Sequence, residues 1–340
     1  MEIQIVNSVD KKQWSDFVLK HPDGNPFQMP WMYEFFQSVN GYIPLCFFAI
    51  NQNKEIKGCM HALIQMEGSG LKAKLSSRAI ISGGPLINFD EPDSLEIFVL
   101  LLKTMLKKVS GQTIYIEFRN FFNLEKKYID VLNSLKFQFE EHLNFIVHLN
   151  ETENPIYKLN ESKRRQVRKA IDKGAEIIIA DNITQIRDYY EILVDLYKYR
   201  AKKPLADWTF FKNFFEINCQ RKEGIYLLIR KDNKIIGGIM CMMHYKTLFE
   251  WYVCGLDREY KDLYPSVMAT WASIKYAKDN GFEYFDFLGA GNPNEKYGVR
   301  DFKSKFGGIT TNYGRYIRIN KPLIFNLGKS MVSIYSRFFN

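Results

Sequence analysis

The chain is 340 residues long, 46% hydrophobic and 25% charged, a composition that excludes a disordered, fibrous or disulfide-bound protein and leaves room for two globular domains. Its net charge of +9 is unevenly placed: residues 1–150 hold 15 basic and 16 acidic side chains, residues 151–340 hold 32 and 22. Two short segments, 158–173 and 296–318, each contribute +5, which points to an anion-binding surface in the second half rather than to general solubility.

From the N-terminus, MEIQIVNSVDKKQW has no basic segment followed by an apolar one, so no signal peptide is expected. The first polar tip flanked by apolar runs is Asn53-Lys54, between Leu45–Ile50 and the run from Ile56, and it reads as a β-hairpin. The longest uninterrupted aliphatic or aromatic stretch, Ile97–Leu102, is far below the ~18 residues a membrane span needs. It lies in a helical segment, Ser94–Val109, which precedes an aromatic-rich strand with one acid, Tyr115-Ile116-Glu117-Phe118. The same succession returns 180 residues later. Asn53-Lys54-Glu55-Ile56-Lys57-Gly58-Cys59-Met60 and Asn233-Lys234-Ile235-Ile236-Gly237-Gly238-Ile239-Met240 share NKxIxGxM, and a helix over 266–280 leads into Tyr284-Phe285-Asp286-Phe287. Two patterns repeated in one order indicate a duplicated α/β unit of about 150 residues per copy. The polar Asn150–Pro155 marks the joint, giving domains over 1–150 and 151–320. The tail Leu323–Phe339 has apolar residues at helical spacing; it reads as a terminal helix over 321–340 packing back on the first domain, with a membrane-surface helix as the other reading.

Chemistry is sparse elsewhere. Cys46, Cys59, Cys219, Cys241 and Cys254 form no CxxC and read as buried thiols of a reducing cytoplasm. The five histidines lack metal-ligand spacing, so no metal is expected, and GxSxG, Walker A and GxGxxG are absent. Two segments remain. Asn160–Ala170 reads as a basic helix on which Arg164 and Arg168 share a face, suited to phosphate oxygens or a nucleic-acid backbone without base-specific reading, so no sequence-specific DNA binding is expected; a solvated face with no ligand is the bland alternative. Gly289–Gly308 runs from a Gly-rich loop into FKSKFGG, where Lys303 and Lys305 lie between aromatics. It reads as an active-site strand in which a lysine can stabilise an oxyanion or phosphate; a surface hairpin with alternating Lys and Phe is the bland alternative.

SKRRQVRKAIDKG, YPSVMATWASIKYAKDNGFEYFDFLGAG and FKSKFGG together resemble the FemABX-type aminoacyltransferases, most densely over 155–316. The resemblance implies an α/β fold of two tandem GNAT-like acyl-CoA N-acyltransferase domains, each a mixed, mostly antiparallel sheet flanked by helices. It implies a cytoplasmic acyltransferase of peptidoglycan biosynthesis that moves an amino acid from aminoacyl-tRNA to an amine of a cell-wall precursor without a cofactor. Its partners would be charged tRNA and a phosphate-bearing precursor, with a peripheral contact at the inner membrane face. The catalytic positions map onto Phe302 and Lys303 of the FK pair and onto Tyr252, and a substrate-binding arginine onto Arg200. Arg164, Arg168, Lys305 and Tyr297 join Arg200 as substrate-binding candidates. Where bridge-forming relatives carry a lysine about four residues after the Trp of a QxxxW-like motif, this chain has Phe35 and Phe36 after Gln28 and Trp31. Two other functions compete. One is an acyl-CoA-dependent N-acyltransferase on an amino sugar or other envelope metabolite, disfavoured because the stretch after Gly255 lacks a Q/R-x-x-G-x-G/A loop; the other is a non-catalytic polyanion-binding module.

Overall fold

A computed structural model describes residues 2–201 and 204–327, with the side chains of residues 200 and 201 left aside. The chain runs β1 (Gln4–Val6), α1 (Lys11–Lys20), α2 (Pro30–Gln37), β2 (Tyr42–Ile50), β3 (Ile56–Gln65), α3 (Gly70–Ser76), β4 (Arg78–Ser82), β5 (Leu86–Ile87), α4 (Ser94–Val109), β6 (Tyr115–Arg119), α5 (Lys126–Ser134), β7 (Gln138–Glu140) and β8 (Asn144–His148). It continues with α6 (Glu161–Asp172), β9 (Glu176–Ile179), α7 (Ile183–Leu196), α8 (Trp208–Asn213), β10 (Gly224–Lys231), β11 (Lys234–His244), β12 (Thr247–Gly255), α9 (Pro265–Asp279), β13 (Tyr284–Asp286), α10 (Gly298–Lys303), β14 (Ile309–Thr311) and β15 (Arg315–Ile319).

These strands form two sheets, in the orders β1-β2-β3-β4-β6-β15-β7 (with β5 beside β3) and β14-β8-β13-β12-β11-β10-β9. Read from opposite ends they correspond strand for strand, and in each the pair β4–β6 or β12–β13 is parallel while the other ladders are antiparallel. The NKxIxGxM segments close the β2–β3 and β10–β11 hairpins. In the second, Asp232 and Asn233 both take positive φ (49° and 63°), the conformation a two-residue turn between right-twisted strands requires.

The correspondence carries a twist of connectivity. In the first sheet the strand beside β6 is β15, which arrives only after the whole second sheet; in the second the equivalent place beside β13 belongs to β8, which directly follows β7. Each copy has handed its last strand to the other. The compact units are therefore Met1–Glu141 with the chain from Tyr313, and His142–Asn312. The joint expected near Asn150–Pro155 falls beyond β8, which already pairs with β13 and β14, and residues 313–320 belong to the first unit and not the second.

In the first unit α4 buries Ile97, Phe98, Leu101, Leu102, Met105 and Val109 on its sheet, the stripe expected of an amphipathic helix. In the second unit α9 starts at Pro265, free of a donor it would not use, and buries nearly its whole circumference, with Ala269, Ala272 and Ala277 keeping it close to its neighbours. Phe35 and Phe36 are 0% and 4% exposed, part of the first unit's core. The tail calls for a helix over 321–340; residues 322–327 are helical and Phe325 sets its ring edge-on to Tyr115 at 5.4 Å, while the remainder lies outside the described residues. All five cysteines are free thiols, and Cys46, Cys59, Cys241 and Cys254 are buried. Among the described residues no helix is long and apolar enough to cross a membrane, and no cluster of His, Cys, Asp or Glu could hold a metal ion.

Candidate active site

The parallel ladder of the first sheet runs through five pairs, Arg78↔Tyr115 to Ser82↔Arg119, and Gly83 N–H continues it to Arg119 O at 2.9 Å. Its counterpart between β12 and β13 stops after three, at Phe249↔Asp286. Beyond that point β12 keeps its partner β11 as far as Gly255, while the chain after β13 turns away through Leu288, Gly289 and Gly291, all at positive φ (52°, 125° and 78°). Two parallel strands thus part into a fork.

Lys303 fills the fork's base. Its ammonium donates to Phe287 O at 2.8 Å, Gly289 O at 2.9 Å and Glu250 Oε1 at 2.9 Å, and only 8% of the residue is exposed. Glu250 belongs to β12 and the two carbonyls to the departing chain, so one side chain stitches both arms. All three hydrogens of the ammonium are thereby taken. The N–H groups expected to donate to an oxyanion are here given to the loop carbonyls and to Glu250, so that Lys303 ties the loop to β12.

The loop is fastened at other points. Asp286, buried, accepts from Asn144 Nδ2 at 2.8 Å and Leu288 N–H at 2.7 Å, and Gly289 N–H donates to Asn144 Oδ1 at 2.7 Å. Burial pushes the Asp286 carboxyl above its ordinary pKa, against the pull of those two hydrogen bonds and of Lys303. Arg300 braces the far end, donating to Asn292 O and Glu295 O at 2.6 Å each. Tyr297 packs on Gly291, whose left-handed backbone has no room for a Cβ within 2.7 Å of that ring.

FKSKFGG is not the expected strand. Residues 298–303 are the helix α10, continued by a 3-10 turn over Ser304–Phe306. Helical spacing turns Phe302 and Phe306 to the same side with rings 5.1 Å apart, buries Lys303 and leaves Lys305 exposed. The glycines that close the motif follow from packing: a Cβ on Gly307 (φ +84°) would lie 2.1 Å from Lys158 O, and one on Gly308 2.9 Å from Phe145 Cβ. Lys305 O accepts from Asn160 N–H at 2.9 Å, locking the motif to the start of α6.

On α6 the face presented to FKSKFGG is not that of Arg164 and Arg168. Lys163, Val167 and Ala170 are the buried positions, whereas Arg164 is half-buried and Arg168 exposed, and among the described residues neither arginine forms an ion pair. Lys163 was not singled out from the sequence. Its ammonium lies 4.7 Å from the centre of the Phe302 ring and 5.8 Å from that of Phe306, with one hydrogen bond to Gln166 Oε1 at 3.0 Å. Burial, helped by the charge of Lys305 and opposed by Asp257, lowers its pKa to about 8.

Tyr252 stands on β12 as expected. The ladder shifts between Met240 and Cys241, leaving Trp251 unmatched, so that Trp251 and Tyr252 both turn toward α8. Tyr252 meets Phe211 at 5.0 Å, Phe210 at 5.8 Å and Tyr197 at 6.2 Å. Tyr197 opens a π-helical turn, Tyr197–Ala201, and its phenol is pushed up to about 12 by burial, with Tyr297, Cys254 and Glu250 adding to the shift. Lys303, Glu250, Tyr197 and Tyr297 thus surround one fork, with Tyr252 reached through Tyr197. Arg200 has its backbone in the same π-helical turn and its side chain outside the described residues. Glu250, also missed, had a signal: a lone acid inside the apolar run Leu248–Cys254.

The start of α9 bears on what the fork can take. Ser266 N–H and Oγ both donate to Asp257, at 3.1 and 2.6 Å, and Pro265 before it has no N–H. A helix N-terminus facing its own carboxylate offers little to a pyrophosphate.

Comparison with known proteins agrees with this architecture. Residues 161–304 match the acetyltransferase (GNAT) domain model. No curated protein matches the sequence. Among solved structures, FemX superimposes with a TM-score of 0.73 at 15% identity, over 96% of this chain and 99% of that one. A tandem GNAT protein from the clavulanic acid biosynthesis pathway matches at 0.61 and 8% identity, over 94% and 99% of the two chains. L-PGS from Bacillus licheniformis matches at 0.57 and 14%, over 93% of each. The chain thus has the tandem GNAT fold, superimposing on FemX over nearly its whole length, and its match to the GNAT acetyltransferase domain lies in the second unit.

Proposed function

We propose that the second unit transfers an aminoacyl group from aminoacyl-tRNA to an amine on a peptidoglycan or other phosphate-bearing cell-envelope precursor, at the cytoplasmic face of the membrane. The observation that carries this reading is the β12–β13 fork of the second copy, opened, stitched by Lys303 and lined by tyrosines, set in a fold that follows FemX over nearly its whole length. An amine attacking an ester needs its partner held close and its developing charge accommodated, and neither demand requires a metal or a covalent nucleophile. Lys303 serves as the positioning residue that fixes the loop carbonyls, while Phe302, packed on Phe306 beside the Lys163 ammonium, backs the turn. Tyr252 and Tyr297 line the acyl path, while Arg164, Arg168, Arg200 and Lys305 supply charge toward tRNA and precursor phosphates. The capped N-terminus of α9 weighs against CoA as donor.

Acyl-CoA remains the second reading, favoured by the acetyltransferase domain model over 161–304. A transfer assay with radiolabelled aminoacyl-tRNA and, separately, acetyl-CoA, each with a nucleotide-linked muropeptide or an amino sugar, separates the two. Label moving from aminoacyl-tRNA alone is the expected result. Label moving only from acetyl-CoA overturns the proposal.

A further inference from the structure

Glu250 carries a carboxylate oxygen with nothing to hold it. Its Oε1 accepts from Lys303, but Oε2 is closed off from solvent and has no hydrogen-bond partner, in a residue only 4% exposed. A buried carboxylate oxygen without a donor is costly and uncommon in a folded protein. Asp286 aggravates the deficit, since it lies within the field of both Glu250 and Lys303. Two buried carboxylates therefore lie in the field of Lys303, which of the two contacts only Glu250. In the first copy the counterpart of Asp286, Glu117 on β6, is by contrast paired with two cations, Arg119 at 3.2 Å and Arg315. Tyr197 and Cys241, two further groups that feel Glu250 among the described residues, carry no positive charge.

We infer that the fork recognises a primary ammonium group of a substrate, hydrogen-bonded to Glu250 Oε2 and supplying the positive charge that Lys303 alone does not. This deepens the aminoacyl-transfer reading of the same fork, on which it rests, by naming the group that selects an amine-bearing substrate over a plain acyl one. The ammonium comes either from the α-amine of the aminoacyl donor or from the acceptor's side-chain amine, and both present the same chemistry to Glu250.

The test uses the full chain and three probes: L-alaninamide for the α-amine, Nα-acetyl-L-lysinamide for the side-chain amine, and L-lactamide, in which a hydroxyl replaces the α-amine. Binding is followed by calorimetry and ligand-observed NMR. At least one amine should bind about tenfold or more tighter than L-lactamide, the factor expected of a charge-assisted hydrogen bond in a buried setting. Glu250→Gln should abolish that preference, and the amine that wins identifies the source. The amide oxygen of Gln can still accept from Lys303, and should the variant not fold, the comparison of both amines with L-lactamide on the unaltered chain still decides. No amine binding, equal binding of L-lactamide, or a preference untouched by Glu250→Gln overturns the inference. If amine binding requires Glu250 but aminoacyl-tRNA yields no product, the ammonium site stands and the transfer reading falls. If transfer proceeds while Glu250→Gln leaves the preference intact, the reverse holds.

Discussion

Replacing Lys303 by Met should damage the second unit's fold and not only its chemistry. The substitution removes one partner of a buried pair, frees two carbonyls at 2.8 and 2.9 Å, and strands Glu250. Breaking such a pair from one side costs about 3–5 kcal/mol, because the remaining charge is buried without compensation. That is a large part of the 5–15 kcal/mol that typically separates folded from unfolded chains, so the effect is measurable. The double variant Lys303→Met/Glu250→Gln no longer leaves a bare carboxylate and should recover about 2 kcal/mol relative to the sum of the single changes. Urea unfolding followed by tryptophan fluorescence is a suitable assay, since Trp251 and Trp271 both lie in the second unit. A Lys303→Met variant within about 0.5 kcal/mol of the parent, or strict additivity in the double variant, would refute the stitching role, as interacting neighbours do not add.

Three further outcomes are expected. Lys163 has a folded-state pKa of about 8 against an ordinary lysine value of 10.5, so between those pH values the unfolded chain binds the extra proton and stability contributed by this group rises with pH; the gap in thermal midpoint between the parent and Lys163→Met should shift in the parent's favour from pH 8 to pH 10, and a pH-independent gap would refute it. Gly307→Ala should destabilise by about 2 kcal/mol or more through its positive φ and the Lys158 carbonyl, whereas Gly298→Ala, with open space around it, should be neutral or mildly stabilising; equal urea midpoints for the two would contradict the packing account. Arg164→Ala/Arg168→Ala should leave the unfolding midpoint unchanged, as neither arginine has an ion-pair partner among the described residues, and should lower the slope of log K against log salt for tRNA binding by about 1–2; an unchanged slope removes both from the phosphate contacts.

Much of the architecture was legible because it rests on local chemistry. Two hairpins announced themselves by polar tips between apolar runs, and α4 and α9 by periodicity and a starting proline. The buried acids Glu117 and Asp286 were visible as single charges in aromatic strands. FKSKFGG misled because its alternation of Lys and Phe over five residues imitates a strand, while the spacing of Phe302 and Phe306 by four and the left-handed Gly307 are equally the marks of a helical turn that stops. Lys163 was legible in hindsight: with Val167 and Ala170 it falls on one helix stripe, which places it on the buried face and the arginines on the open one. Which strand lies beside β6 or β13 was not legible at all, since pairing partners separated by most of the chain leave no local trace.

That exchanged pairing has a consequence for the protein's biosynthesis. The contact between Glu117 and Arg315 spans 198 residues, so the first sheet lacks the strand between β6 and β7 until the whole second sheet has been synthesised. At about 5–20 residues per second the unpaired edge of β6 persists for on the order of ten seconds or more, a window in which a nascent sheet edge invites foreign strands. The second sheet meets no such delay, because β8 precedes everything it joins and waits as a template. A ribosome-released fragment ending before β15 should therefore present a finished second sheet and an unfinished first one, a natural substrate for chaperones that hold open β-edges.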